Sequence, residues 1–229
     1  MELEILFQDE YLVAINKPHG LLVHRSRIAQ DADEFAIQIL RDQINKVVYP
    51  VHRLDRKTSG ILLFGLSPEV NSIMQQQFMN REVNKKYLAF VRGHMDDVGT
   101  INHPLKKENG AEQDAITHFR SIKRGELPFP SGKFESSRYS LMELHPESGR
   151  MHQIRRHLAH VFHPIIGDRP HGCNKQNKLF LERLQMNTML LHASELSFLH
   201  PITKEQIELK ASLFSEFQRV LELKELSLK

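Results

Sequence analysis

Cysteine is nearly absent from this chain, and so are long apolar runs and net charge. One cysteine, Cys173, stands among 229 residues. An intrachain disulfide is therefore excluded, and a reducing cytoplasm is the natural compartment. No apolar run approaches the roughly 18 residues needed to span a bilayer, so no membrane partner is expected. The opening MELEILFQDE is acidic and lacks the basic n-region of a signal peptide. Linkers, internal repeats and low-complexity tracts are missing too. What is present is ordinary for a globular protein: 40% hydrophobic and 26% charged residues. The length suffices for one large domain or two small ones.

The net charge of +3 hides a clustered distribution, with a pI near 8.9 and 14 histidines. Arg53, Arg56 and Lys57 form one basic group. Arg81, Lys85, Lys86 and Arg92 form a second. Arg150, Arg155 and Arg156 form a third, interleaved with His152, His157, His160 and His163. Such clusters suit a polyanion such as RNA, and they equally suit solvated faces balanced by Asp and Glu elsewhere.

The apolar pattern predicts an α+β chain with a mainly antiparallel mixed sheet. LEILFQD and YLVAINK flank a Gln-Asp-Glu turn and read as an opening strand pair. Phe35, Ile39, Leu40 and Ile44 recur at helical spacing over 31–44. Val47 to Val51 and Gly60 to Leu66 read as strands, the second buried. Ser67-Pro68-Glu69 starts a helix running to about Asn80, with a cap residue followed by proline at the first position. Further strands are expected at 86–92, 115–122, 138–145, 189–199 and 206–210, with a proline-rich loop over 125–132. Leu213, Phe217, Val220 and Leu221 make the last segment an amphipathic helix.

Two segments carry chemistry. HRLDRKTSG, His52 to Gly60, sets Asp55 between Arg53 and Arg56. An acid among cations stays ionised at neutral pH, and an ionised carboxylate can serve as nucleophile or base. A surface ion pair explains the same residues. The second segment is GRMHQIRRHLAHVFHP, Gly149 to Pro164. At 100° per residue, Met151, Ile154, Leu158, Val161 and Phe162 share one apolar arc of about 100°. Arg155 lies at its edge, while Arg156, His152 and His163 turn outward. Arg155 should therefore be partly buried and need an anionic partner. Asp55 is the candidate, and Arg156 can remain exposed.

The HxxHxxH of this helix invites a metal reading. His157 and His163 would sit about 120° and about 9 Å apart, a poor tripod. The i, i+4 pairing and the glutamate of helical zinc proteases are both missing, and Cys173 has no CxxC partner. Contact with phosphate or a solvated face remains the alternative, and no metal is assigned.

KPHGLLVH, HRLDRKTSG, KKYLAFVRG, GRMHQIRRHLAH and HPIIGD occur in that order. With them the chain resembles the RluA-type pseudouridine synthases, from about Glu4 to about Phe214. SRYSLMEL, RRHLAHVFHPIIGDRPHG and LLHASELSFLHP are most similar to a subgroup that modifies a uridine in the acceptor stem of tRNA (position 65 in tRNA numbering). A ribosomal-RNA or dual-specificity enzyme is the runner-up. A metal-dependent hydrolase and a non-catalytic RNA-binding protein are the rivals outside the family.

The resemblance implies one catalytic domain over 1–229, with a central RNA-binding cleft and no accessory S4-type domain in front. It implies no metal, no organic cofactor and no obligate protein partner. RNA, and tRNA above all, is the implied partner. Asp55 matches the catalytic aspartate of HRLD, and Arg53 the arginine that fills the gap left by a flipped base. Tyr87 matches the tyrosine that stacks on the target uracil, and Arg155 the basic residue paired with the aspartate. Arg56, Lys57, Lys85, Lys86, Arg150, His152 and Arg156 are the further expected RNA contacts. The one departure is HRSR at 24–27, where many relatives have proline after the histidine.

Overall fold

The computed structural model describes residues 1–24, 34–224 and 226. Most of the His24–Asp33 loop, including the HRSR departure and the start of the first expected helix, lies outside them. In chain order the elements are β1 (Glu4–Gln8), β2 (Leu12–Lys17), α1 (Ala36–Ile44), β3 (Tyr49–Pro50), β4 (Ser59–Gly65) and α2 (Pro68–Met79). There follow β5 (Asn84–Arg92), β6 (Val98–Asn102), β7 (Leu105–Lys106), β8 (Glu112–Gln113), β9 (Ile116–Leu127) and β10 (Ser137–Pro146). The chain then forms α3 (Gln153–His160), α4 (Asn174–Leu184), β11 (Leu191–Leu199), β12 (Gln206–Lys210) and α5 (Ser215–Leu221). The expected α+β class with a mainly antiparallel sheet is what these elements build.

Two compact units emerge, 1–85 with 193–213, and 86–192 with 214–229. In the first, β1, β2 and β4 lie side by side, with antiparallel registers β1–β2 and β2–β4. Asp9 makes the first turn, its carboxylate accepting from the backbone N–H groups of Tyr11 and Leu12 at 2.7 Å each. β2 and β4 are buried on both faces, which is why LVAINK and SGILLFG show no polar alternation. α2 begins as expected, Ser67 accepting from the Val70 N–H at 3.2 Å and Pro68 opening the helix. Its Val70 and Met74 pack on Leu12, Ala14, Ile61, Leu63, Phe198 and Leu209. β4 passes so close to β11 that a Cβ on Gly60, at φ +106°, would lie 2.2 Å from the Ala193 carbonyl oxygen.

In the second unit β10 pairs antiparallel with β5 on one side and β9 on the other, and β6 extends β9. β9 continues to Leu127, so Gly125 to Leu127 of the expected loop are strand, and Pro128 ends it. β6, the small β7–β8 hairpin and α4 have no counterpart in the sequence reading. In α4, only Gln176 and Phe180 are buried, too few for a stripe to show. Phe180 packs against Phe90, Phe129 and Tyr139.

α3 is shorter than its apolar arc suggested. Ile154 and Leu158 join the core of this unit with Met142, Leu144 and Ile165. Met151 and Phe162 fall outside the helix and are 48% and 85% exposed. The causes are local: His152, at a left-handed φ of 54°, starts the helix after Met151, and at the other end the residue before Pro164 is biased away from helical backbone and Phe162 takes a left-handed φ of 64°.

Candidate active site

The first unit holds the Asp55 loop by its main chain. The Val51 N–H reaches the Leu63 carbonyl at 3.0 Å, and Leu63 donates back to His52 Nε2 at 3.2 Å. The His52 ring stacks on Phe78, 4.8 Å between centroids at 19°. Burial pulls its pKa down to about 4, and the Lys85 charge adds to that against an opposing hydrogen bond to the Arg53 backbone. The imidazole is thus neutral, with Nε2 as acceptor and the proton on Nδ1. Leu54 is buried, and a Thr58 N–H to Asp55 carbonyl bond of 3.0 Å closes the turn. Asp55 is left half-buried and Arg53 exposed, the guanidinium of Arg53 without an ion pair among the described residues.

Lys17, absent from the sequence-derived site, braces this loop from beneath. It is fully buried at the end of β2. Its ammonium donates to the carbonyls of Pro18, Leu21 and Arg56 at 2.9, 2.9 and 3.3 Å, one for each N–H. Burial lowers its pKa to about 7, against the opposing pull of the Asp55 carboxylate. Gly20 and Arg56 add a second bridge: Gly20 N–H to Arg56 carbonyl at 2.9 Å, and Arg56 Nε to Gly20 carbonyl at 3.1 Å. Burial and the charges of Lys17 and Lys57 take the nearby His19 down to about 4. The signal for Lys17 was a lysine closing a mainly apolar strand, immediately before Pro-His-Gly.

In the second unit Arg155 is buried, as the helical wheel required, at 5% exposure. A carboxylate does meet it: Asp168 grips its fork. Nε donates to Oδ2 at 2.7 Å and Nη2 to Oδ1 at 2.9 Å. The HPIIGD segment leaves α3 and returns beneath it, which brings this acid within reach. Gly167, at φ +82°, permits the return: a Cβ there would stand 1.8 Å from the Thr188 carbonyl oxygen. Asn177 clamps the turn, accepting from Gly167 N–H at 2.8 Å and donating to the Asp168 carbonyl at 2.7 Å. His171 donates its backbone N–H to Asp168 at 3.3 Å, and its ring meets His152 at 2.9 Å.

The remaining expected contacts diverge. Tyr87 sits half-buried on β5, opposite Leu144 of β10. Lys86 pairs with Glu143 at 3.5 Å, and that carboxylate also takes Arg120 at 3.0 Å and His145 at 3.2 Å. Burial opposes its ionisation, yet the bonds from His145 and Arg120 and the Lys86 charge hold its pKa below the usual range. Burial, with the Arg81 charge, lowers Lys85 to about 8. Lys57 is half-buried beside Asp55 in the sequence. Arg156 is half-buried rather than exposed, with Nη1 on the Lys106 carbonyl at 3.0 Å, and Arg150 Nε reaches the Asp114 carbonyl at 3.4 Å.

The three helix histidines have separate fates. His157 is fully buried, not on a solvated face, with its ring nitrogens at 2.9 Å from Thr117 Oγ1 and 3.0 Å from the His103 carbonyl. His160 stacks on His103 at 3.7 Å, and His163 meets the Arg92 carbonyl at 2.9 Å. Among the described residues no three His, Cys, Asp or Glu side chains are grouped to hold a metal ion.

The chain is similar to known proteins over most of its length. The family model for RNA pseudouridylate synthase matches residues 11–160, which include Asp55, Tyr87 and Arg155. A tRNA pseudouridine synthase C of Vibrio cholerae is 46% identical, over 96% of this chain and 94% of that protein. One of Haemophilus influenzae is also 46% identical, over 96% of both. Among solved structures, human RNA Pseudouridylate Synthase Domain Containing 4 is similar at TM-score 0.74 and 25% identity, covering 99% of this chain and 94% of the other. With the matched segment spanning both the Asp55 loop and α3, the chain belongs to the RNA pseudouridylate synthase family.

Proposed function

We propose that this protein isomerises a uridine of tRNA to pseudouridine, at position 65 of the acceptor stem in tRNA numbering. Asp55 is the catalytic carboxylate in this reading, and the observation that carries it is the way the loop is built. Backbone bonds, His52 and Lys17 fix the main chain around Asp55, and the side chain stays half-buried. The similarity to synthases named for tRNA supports the choice of RNA.

The chemistry breaks the bond from uracil N1 to ribose C1′ and forms one from C5 to C1′. N1 gains a proton and C5 loses one, so no atom is added overall and no cofactor is required. The detached base must be kept from water while it turns, or hydrolysis would leave an abasic ribose. The nucleotide must first leave its stack, at a cost of a few kcal/mol. Arg53 fills the vacated space, and Tyr87 offers an aromatic face worth roughly 1–3 kcal/mol of stacking. In this reading Arg155 is the family's basic residue, its guanidinium plane fixed by Asp168 at Nε and Nη2. Both units then act as one catalytic domain. Among the described residues no helix is long and apolar enough to cross a membrane, and a cytoplasmic site of action suits a tRNA substrate.

Tritium release from tRNA carrying uridine labelled at C5 tests the reading, because that hydrogen departs only when the new bond forms. Wild-type protein should release it, and a transcript with cytidine at position 65 should not support release. Asp55→Asn should lower the rate by more than about 10⁴-fold, as loss of an essential reacting group does, while folding and RNA binding persist. Substantial turnover by Asp55→Asn would end the assignment.

A further inference from the structure

Cations of the second unit differ in their partners. Around β9 and β10 four of them are neutralised: Arg120 and Lys86 by Glu143, Arg138 by Glu126, Arg124 by Asp97. Others, beside the N-terminal end of α3, are not. There a groove of about 370 Å³ is lined by Lys106, Lys107, Arg150 and Arg156, with Glu108 as its one carboxylate. None of these four cations has a carboxylate partner among the described residues; the two arginines bond only to backbone carbonyls, those of Asp114 and Lys106. Four like charges converging on one groove repel one another, and this cost persists unless an anion enters.

The groove is also stiff. Leu105 is buried and anchors the β7–β8 hairpin. The hairpin's tip is closed by Lys107 N–H to Ala111 carbonyl at 2.8 Å and Gly110 N–H to Lys107 carbonyl at 3.0 Å. Arg156 ties the hairpin to α3 through the Lys106 carbonyl, and His157 ties its base through the His103 carbonyl. The charges are thus held in place before any ligand arrives, which lowers the ordering cost of binding.

We propose that this groove is a phosphodiester-binding site for the RNA backbone, in which the β7–β8 lysines work together with Arg150 and Arg156. Lysine offers a point charge and arginine a planar fork, and phosphate oxygens accept from both. Exposed Met151 on its wall adds apolar surface against ribose. The site positions RNA without reading bases. It rests on the reading of this protein as an RNA-modifying enzyme.

The test measures tRNA binding in the Asp55→Asn background, so that turnover does not enter. The Lys106→Ala/Lys107→Ala double variant should weaken binding about tenfold at 0.15 M salt. The magnitude of the slope of log K against log salt should fall by about 1.8, roughly 0.9 for each of the two lost phosphate contacts. A control pair, Lys46→Ala/Lys175→Ala, removes the same net charge from exposed positions elsewhere and should keep the slope. An unchanged slope in the Lys106/Lys107 variant, or an equal fall in the control, overturns the site. If wild-type protein releases no tritium while the slope still falls only in the groove variant, the isomerase reading fails and the groove stands.

Discussion

Asp55 and Arg155, the two residues the sequence singled out, are positioned by opposite means. The loop that carries Asp55 is held through its main chain. The Asp55 and Arg56 carbonyls accept from Thr58, Gly20 and Lys17, and the loop's entry is fixed by His52. Arg155 is positioned through its own charged group, forked onto Asp168 in a setting where the two side chains are 6% and 1% exposed. The difference separates structural from chemical roles. A carboxylate whose loop is held by other groups can be changed without unfolding the loop. A guanidinium buried in the fork of an acid cannot lose that acid cheaply, since the compensation that acid gives its desolvation is lost with it.

Removing the acid beneath Arg155 is therefore the strongest way to break this contrast. Asp168→Asn should cost about 3–5 kcal/mol, the usual penalty for stranding a buried charge. Chemical denaturation would read it as a lower midpoint, and Asp55→Asn measured alongside should stay close to wild type. An Arg155→Met/Asp168→Leu double variant should recover much of the stability, because the desolvation cost disappears with both charges, but it should not recover tritium release. If Asp168→Asn proves no more damaging than Asp55→Asn, the two regions are not held differently.

Helical periodicity was enough to bury Arg155 and to demand an acid. It could not find Asp168, because that acid reaches Arg155 only through the chain reversal at Gly167, and a wheel has no information about what lies beyond the helix end. The same limit misplaced Met151 and Phe162, whose angles on the wheel are right but whose backbone is no longer helical. The strands were legible wherever burial made them continuous, as in β2 and β4, and the α2 cap was legible because Ser-Pro is a local signal. Lys17 was hidden for the opposite reason: composition rules place lysine outside, and this one is satisfied by three carbonyls that sequence cannot locate. His157 likewise read as part of a basic face because its partners, Thr117 and His103, come from distant segments.

Lys17 sharpens the contrast from the other side, since it acts on Asp55 through main chain as well as charge. Lys17→Met keeps much of the apolar stem but strips the donors from three carbonyls. A loss of about 2–3 kcal/mol is expected, in the range for buried acceptors left unpaired. The loop should loosen with it. Amide hydrogen exchange at Thr58 and Gly20 should accelerate more than at Met74 within α2. Uniform acceleration would mean that Lys17 supports the whole unit and not this loop.

The smallest effect concerns His52 and has a definite sign. Its pKa falls from the ordinary 6.5 or so to about 4 in the folded protein, with burial the chief cause. Between those values the unfolded chain binds a proton that the folded one does not, so stability rises with pH there. The contribution is complete above about pH 6.5 and is lost as pH falls toward 4. His19 behaves in the same direction and belongs to the same unit. Urea midpoints taken from pH 4.5 to 7 should climb accordingly. In His52→Gln the carboxamide oxygen can still accept from Leu63, but nothing titrates, so the climb should be shallower by about 1 kcal/mol per pH unit. The slope is the diagnostic, because loss of the Phe78 stack lowers stability equally at every pH. An unchanged slope would place a protonated imidazole on the Leu63 N–H, an arrangement with no acceptor to receive it, and the account of how the Asp55 loop is pinned would fail with it.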